Sequence, residues 1–447
     1  MLCSVRNVPP RLQLSPCSLT LALQNLKQYC STSKDEEDLD PVGSLTQLCV
    51  GSHYISPGES NAGLFQRGVG CSYGPLGVEL RRNLLEQWWR SVSRSTPQVF
   101  GMSSTDAGGE GRLRVVDSEE LKLMLEQREV RREQLIREVE KLLQRAPPVR
   151  TNFLQGALEQ FAPTLDLVNR KLPFGLAESG LCFQPSGGSS AEVTQTSLVW
   201  FCSPRTSSQW LDHWTRKRLK WWRKFALSPS DFSSVDVPEE ELDEVASRGV
   251  KVMYSFPWGQ ESLETLWSRG DAELLQVHKG ARSKLQGGDG RRSIPHVLSI
   301  TANMDRGVMS FLSNSFQQLK KSNDKQKLQQ RKVLKLHPVL VPIKVALDIG
   351  KGATGELRQV CEGLLQEFME AKISAWPGYL KTLPTTLEQL NTKYDEMGVL
   401  FTVVVSENSL ESGLLQVRSR DTTIKETMHI SEIKDFLSTY ISAADNS

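Results

Sequence analysis

The stretch Ser72–Arg90, "SYGPLGVELRRNLLEQWWR", constrains the fold more than any other part of the chain. Gly74 and Pro75 punctuate the backbone. After them Val78, Leu80, Leu84, Leu85, Trp88 and Trp89 recur at a period of about 3.6, which predicts a helix with one buried face. That face needs a partner surface, and 447 residues exceed one ordinary core, so two or three domains are expected. Hydrophobic residues at 38% and charged residues at 24% fit a soluble globular chain. No apolar run approaches the ~20 residues of a membrane span.

The formal charge of +2 leaves any nucleic-acid role to local clustering of Lys and Arg. The eight Cys (3, 17, 30, 49, 71, 182, 202 and 361) form no CxxC, and the six His form no HExxH, so neither a metal site nor a cofactor is expected. At the N-terminus, Arg6, Arg11 and Lys27 lie among Ser and Leu with no acid before Asp35. That is the profile of a mitochondrial transit peptide over residues 1–34, the plain alternative being a disordered tail.

From Leu45 to Arg114 the predicted helix is mixed with Gly-rich loops, "GMSSTDAGGEG" at 101–111 being a flexible one. Residues 117–172 carry an interrupted stripe (Leu121, Leu125, Leu135, Val139, Leu142, Leu143) ended by Pro147-Pro148, then "FLQGALEQFAPTLDLVNRKL" with a kink at Pro163. Two helices enclose little core. Either a second copy of this hairpin completes a four-helix bundle, or the hairpin packs on its own chain. Between Phe174 and Lys320 strands such as "TSLVWFCSP" and "HVLSITAN" alternate with helices, as an antiparallel sheet with packed helices requires. Residues 320–340 read as a polar, basic connector, and "VPIKVALDIG" opens a separate α/β domain over 341–447. In it "LFTVVVS" and "LLQVRSR" are strands joined through Asn408 to Gly413, while "GKGATG" at 350–355 lacks a GK[ST] and reads as a strand-to-helix turn.

Two basic clusters are candidate phosphate contacts for double-stranded DNA. Arg216, Lys217 and Lys220 crowd a helix that also carries Trp210, Trp214, Trp221, Trp222 and Phe225; the bland reading is a core helix with snorkelling cations. Lys320, Lys321, Lys325, Lys327, Arg331 and Lys332 lie in the connector; the bland reading there is a soluble linker.

Together with Ser72–Arg90, the segments "GLAESGLCF" (175–183), "SPRTSSQWLDHWTRKRLKWW" (203–222), "MDRGVMSFL" (304–312) and "VLKLHPVLVPIKVAL" (333–347) resemble class II aminoacyl-tRNA synthetases of the glycyl type. The resemblance implies an α/β (α+β) chain: a class II synthetase-like antiparallel sheet domain (35–116 and 173–319), interrupted by the helical hairpin at 117–172, a dimerisation insert if a second copy completes its bundle, and an anticodon-binding-like mixed-sheet domain. It also implies that the helix after Ser72 lies at a dimer interface. The activation residues depart from the family. Aligned on Phe183, the signature Phe-Arg-Asn-Glu reads Phe-Gln-Pro-Ser, with Gln184 for the Arg and Ser186 for the Glu. Ser197, Val199 and Ser299 stand where acids are usual, and only Arg306 remains, expected to pair with Asp305 or cap a helix. A neutral amide cannot replace a bidentate guanidinium, so no catalytic residue is assigned.

A synthetase scaffold with this insert and without these residues is similar to the accessory-subunit family of animal mitochondrial DNA polymerases. That resemblance implies a homodimeric, non-catalytic processivity factor in the mitochondrial matrix nucleoid, with the polymerase catalytic subunit and double-stranded DNA as partners. The polymerase contact is placed on 341–447, at Gly413 with Arg418 and Arg420, the bland reading being that Arg418, Arg420 and Asp421 form only internal ion pairs. The rival readings are a working mitochondrial glycyl-tRNA synthetase and a free-standing DNA-packaging protein.

Overall fold

The computed structural model of the chain describes residues 41–58, 63, 65, 71–94, 96, 98–104, 114–126, 131–186, 189–287, 293–322, 328–352, 354–381 and 386–446. The expected transit peptide and residues 105–111 of the Gly-rich loop lie outside them.

The segment after Phe174 sends successive side chains to opposite faces of a sheet, and in its central strands both faces are covered: Val193 to Cys202 is buried throughout. Its strands are β1 (Val99–Gly101), β2 (Phe174–Ser186), β3 (Ser189–Cys202), β4 (Phe232–Asp236), β5 (Arg248–Phe256), β6 (Gly259–Gly270) and β7 (His296–Asn303). They lie in the order β1-β2-β3-β7-β6-β5-β4, antiparallel throughout except for β1 beside β2. One set of strand residues, Leu198, Trp200, Leu266 and Ile300 among them, packs with the helices Pro75–Trp89, Ser207–Lys224 and Met304–Ser315. The alternate set, Leu176, Val199, Phe201 and Val297, packs with Leu158, Phe161 and Leu165.

The helix Pro75–Trp89 forms as the 3.6 period predicts, with Leu76, Leu80, Leu84 and Trp88 buried and Pro75 in its first turn, where no N–H is needed. Gly77 is required by close approach: a Cβ there would come within 1.9 Å of the Tyr54 carbonyl oxygen.

The helical insert differs from the expected two-helix hairpin. Helices Ser118–Glu126 and Arg132–Arg145 form one pair, rooted by a bridge between Arg114 and Pro148. Only Leu142 is buried in this pair, and Leu123, Leu125, Ile136 and Leu143 are 63%, 58%, 47% and 43% exposed. The expected second arm is instead two short helices, Leu154–Glu159 and Phe161–Leu167, that fill the chain's own core. Pro163 falls in the first turn of the latter, where it starts a helix rather than kinking one.

In its described residues the connector is more than a polar linker. It forms a hairpin of β8 (Phe316–Ser322) and β9 (Leu328–Leu334), and Val333, Leu334, Leu336 and Leu340 are buried. Beyond it are β10 (Val345–Ile349), β11 (Ala375–Trp376), β12 (Phe401–Val405), β13 (Leu414–Ser419) and β14 (Lys425–His429), in the order β11-β10-β12-β13-β14. β10 runs parallel to β11 and β12, and the other pairs are antiparallel. Of the "GKGATG" segment, Gly350, Lys351 and Gly352 follow β10, Ala353 lies outside the described residues, and Thr354 opens the helix Thr354–Glu370. A short helix, Glu407–Ser412, connects β12 to β13, and β14 is an edge strand that the sequence pattern does not announce. The last helix, Ile433–Asn446, returns to the sheet domain, where the Asp445 carboxylate meets Arg90 at 3.2 Å and Lys224 at 3.7 Å. Among the described residues no helix is long and apolar enough to cross a membrane.

Candidate nucleic-acid and partner interface

The synthetase-like sheet carries a cavity of about 300 Å³, lined by Gln195, Arg269, Ser299, Thr301, Asn303 and Arg306 among others. Both guanidinium groups in this lining are engaged by acids. Arg306 pairs with Glu261 at 3.1 Å and donates to the Ser262 carbonyl at 2.8 Å. Arg269 donates to Ser299 Oγ at 3.0 Å, to Glu273 at 3.1 Å and to Asp243 at 2.5 Å. The expected pairing of Arg306 with Asp305 does not occur, because the Asp305 carboxylate turns away to accept the Thr194 N–H at 2.5 Å and to face Arg81 at 3.4 Å. The Arg306 side chain caps no helix either; Asn303 caps this one by accepting the Arg306 backbone N–H at 2.9 Å. Ser197 and Ser299 are buried, and Val199 packs with Phe201 in the core. Gln184 and Ser186 lie near the end of β2, in register with Ala191 and Ser189.

The Trp-bearing helix Ser207–Lys224 divides its cations between two roles. Leu211, Trp214, Trp221 and Trp222 face inward with Arg218, which is 1% exposed. Glu264 neutralises Arg218 at 2.7 Å and accepts Trp222 Nε1–H at 2.7 Å, so this buried charge is paired and hydrogen-bonded. Lys217 lies over the Trp214 ring and donates to Thr96 Oγ1 at 2.5 Å. Its burial, with Arg218 nearby, lowers its pKa to about 8. Arg216 and Lys220 are the two expected contacts on this helix that project into solvent.

The connector separates in the same way. Lys320 and Lys321 stand on β8 opposite Gln330 and Gln329, while Lys325 and Lys327 lie outside the described residues. Lys332 on β9 is half-buried. Arg331 is not a free cation: its Nε donates to the Asp395 carboxylate at 2.8 Å.

In the C-terminal domain Arg418 and Arg420 face inward and offer no exposed fork to a partner, which corrects their expected role. Arg418 grips Asp395 with both terminal nitrogens, at 3.0 and 2.9 Å. Arg420, 2% exposed, donates to the carbonyls of Gly398 and Leu336 and to Asp421. Internal pairing, rather than a surface contact, is therefore what these residues do. Gly413 ends the helix Glu407–Ser412 in the left-handed region at φ 70°, and a Cβ there would meet His429 Nε2 at 2.7 Å.

Residues 339–440 match the anticodon binding domain family. DNA polymerase subunit gamma-2 of Mus musculus is 50% identical to this chain over 421 residues, 90% of this chain and 91% of the relative. The mitochondrial DNA polymerase subunit gamma-2 of Xenopus laevis is 47% identical over 421 residues, 90% of this chain and 88% of the relative. The chain belongs to the DNA polymerase subunit gamma-2 family. A more distant relative is the glycine–tRNA ligase of Mycolicibacterium paratuberculosis, 25% identical over 435 residues, 82% of this chain and 91% of the ligase. The subunit gamma-2 family is thus related to glycyl synthetases, and its fold is a synthetase-like α/β fold.

Two acids that organise these surfaces do not stand out in the sequence. Glu264 has a signal: in "ESLETLWS" it alternates with Leu266 on the inward face of a strand, where a carboxylate needs a buried partner. Asp395 has a weaker one, lying next to Tyr394 at the margin of the buried face of the helix Leu387–Glu396.

Proposed function

We propose that the chain is a non-catalytic accessory subunit of the mitochondrial DNA polymerase, binding the catalytic subunit and double-stranded DNA and raising processivity in mitochondrial DNA replication. The observation that carries this reading is 50% identity, over 90% of the chain, to a protein named as a subunit of that polymerase. The Xenopus relative's name supports a mitochondrial location, and we place the chain in the matrix nucleoid. The substitutions at Gln184, Ser186, Ser197, Val199 and Ser299 support the absence of amino-acid activation, which depends on charged groups at such positions. Exposed apolar residues on the helix pair 118–145 support self-association, since Leu123 and Leu125 lack a partner surface within their own pair. The C-terminal domain, 341–447, is proposed as the polymerase contact: a tRNA-reading module on a chain that charges no tRNA is free to hold another partner.

Arg216 and Lys220, with Lys320 and Lys321 of the hairpin, are proposed to contact phosphates. Lys217, Arg331, Arg418 and Arg420 are assigned instead to internal contacts. The test is capture from mitochondria on the tagged full-length chain, where the polymerase catalytic subunit is expected and aminoacylated tRNA is not. Recovery of charged tRNA without polymerase would favour the synthetase reading.

A further inference from the structure

Asp395 is 1% exposed and accepts from two arginines of different elements. Arg331, on β9, approaches Oδ2 with Nε at 2.8 Å and Nη2 at 2.7 Å. Arg418, on β13, holds Oδ1 with Nη1 at 3.0 Å and Oδ2 with Nη2 at 2.9 Å. The Arg331 fork also reaches the Arg420 carbonyl at 3.3 Å. One carboxylate thus fastens β9 to the helix Leu387–Glu396 and to the C-terminal sheet. A buried carboxylate shared by one buried and one half-buried guanidinium is a poor source of net stability, because desolvation offsets the Coulombic gain. Its directional hydrogen bonds fix orientation instead. A two-stranded hairpin is marginal by itself, so β8 and β9 depend on such anchors together with buried Val333 and Leu334.

We infer that Asp395 and Arg331 are positioning residues for the DNA contact: their half-buried fork holds β9, and with it the paired strand β8 that carries Lys320 and Lys321, in one orientation against the C-terminal domain. The inference rests on the DNA-binding role proposed above, and it gives Arg331 a task other than neutralising phosphate. It also opposes simple charge counting. Asp395→Asn removes a negative charge, which by field alone strengthens binding to a polyanion. Arg331→Lys keeps the charge but loses the planar fork.

The test is titration of the full-length chain with a fluorescent DNA duplex over a range of salt. Both variants are expected to bind about fivefold more weakly, with the log–log salt slope shallower by about 0.9 for each phosphate that is no longer neutralised. Hydrogen exchange is expected to quicken in β8 and β9 while β10 and β12 stay protected, showing that the domain remains folded. If Asp395→Asn does not fold, Arg331→Lys decides alone. Unchanged or tighter DNA binding by a folded variant overturns the inference, as does unchanged exchange in the hairpin. Failure of the unsubstituted chain to bind the duplex instead overturns the DNA role itself.

Discussion

At the scale of single residues, the chain's charges are sorted by what faces them. His337 shows how strongly the junction between sheet domain and C-terminal domain acts on one group. Its ring lies edge-on to Phe225, and burial, with Lys224, Lys344 and Arg420 nearby, lowers its pKa to about 4 against a weaker upward pull from Asp445. The unfolded His takes up a proton near pH 6.5, whereas the folded one resists until about 4. This contribution to stability is therefore complete above pH 6.5 and is lost as the pH falls toward 4. His337→Asn is expected to remove a slope worth at most about 3 kcal/mol across that window, checked by urea unfolding of both proteins between about pH 4 and about pH 6.5. The sequence shows which residues are charged but not which are paired. "LLQVRSR" reads as an exposed basic strand end until Asp395, from a separate helix, arrives under Arg418.

At the scale of elements, periodicity is a good guide wherever a face is buried against its own chain. The helix after Pro75 and the strands β3, β7, β10 and β12 follow their patterns closely. It is a poorer guide across 117–172, because an apolar stripe does not say what covers it. Phe161 and Leu165 close the sheet's core, whereas Leu123, Leu125, Ile136 and Leu143 remain in solvent. These four are the residues through which a second copy is proposed to dock. Replacing them together with Ser is expected to shift the sedimenting species from dimer to monomer while leaving thermal unfolding of the sheet domain unchanged, since none of them contributes to its core. A variant that sediments as an unchanged dimer would move the self-contact elsewhere, the helix Pro75–Trp89 being the next candidate.

At the scale of the whole molecule, a C-terminal module is legible because it carries its own hydrophobic pattern and the motif "VLKLHPVLVPIKVAL" at its entry. The C-terminal domain expected over 341–447 overlaps the matched span, 339–440, almost completely. Less legible is the way the domains join. Asp445 clasps Arg90 and Lys224, and Asp395 ties the hairpin to the C-terminal sheet; such long-range pairs leave no period in a sequence. The central claim is that this synthetase-like chain serves a polymerase rather than activating glycine. It is tested most directly by the length of DNA that the mitochondrial polymerase catalytic subunit copies in one binding event, with and without the purified chain, under a trap for free enzyme. The account predicts much longer products with the chain present and glycine-dependent ATP–pyrophosphate exchange at background in the same preparation. Unchanged product length together with robust exchange would contradict it.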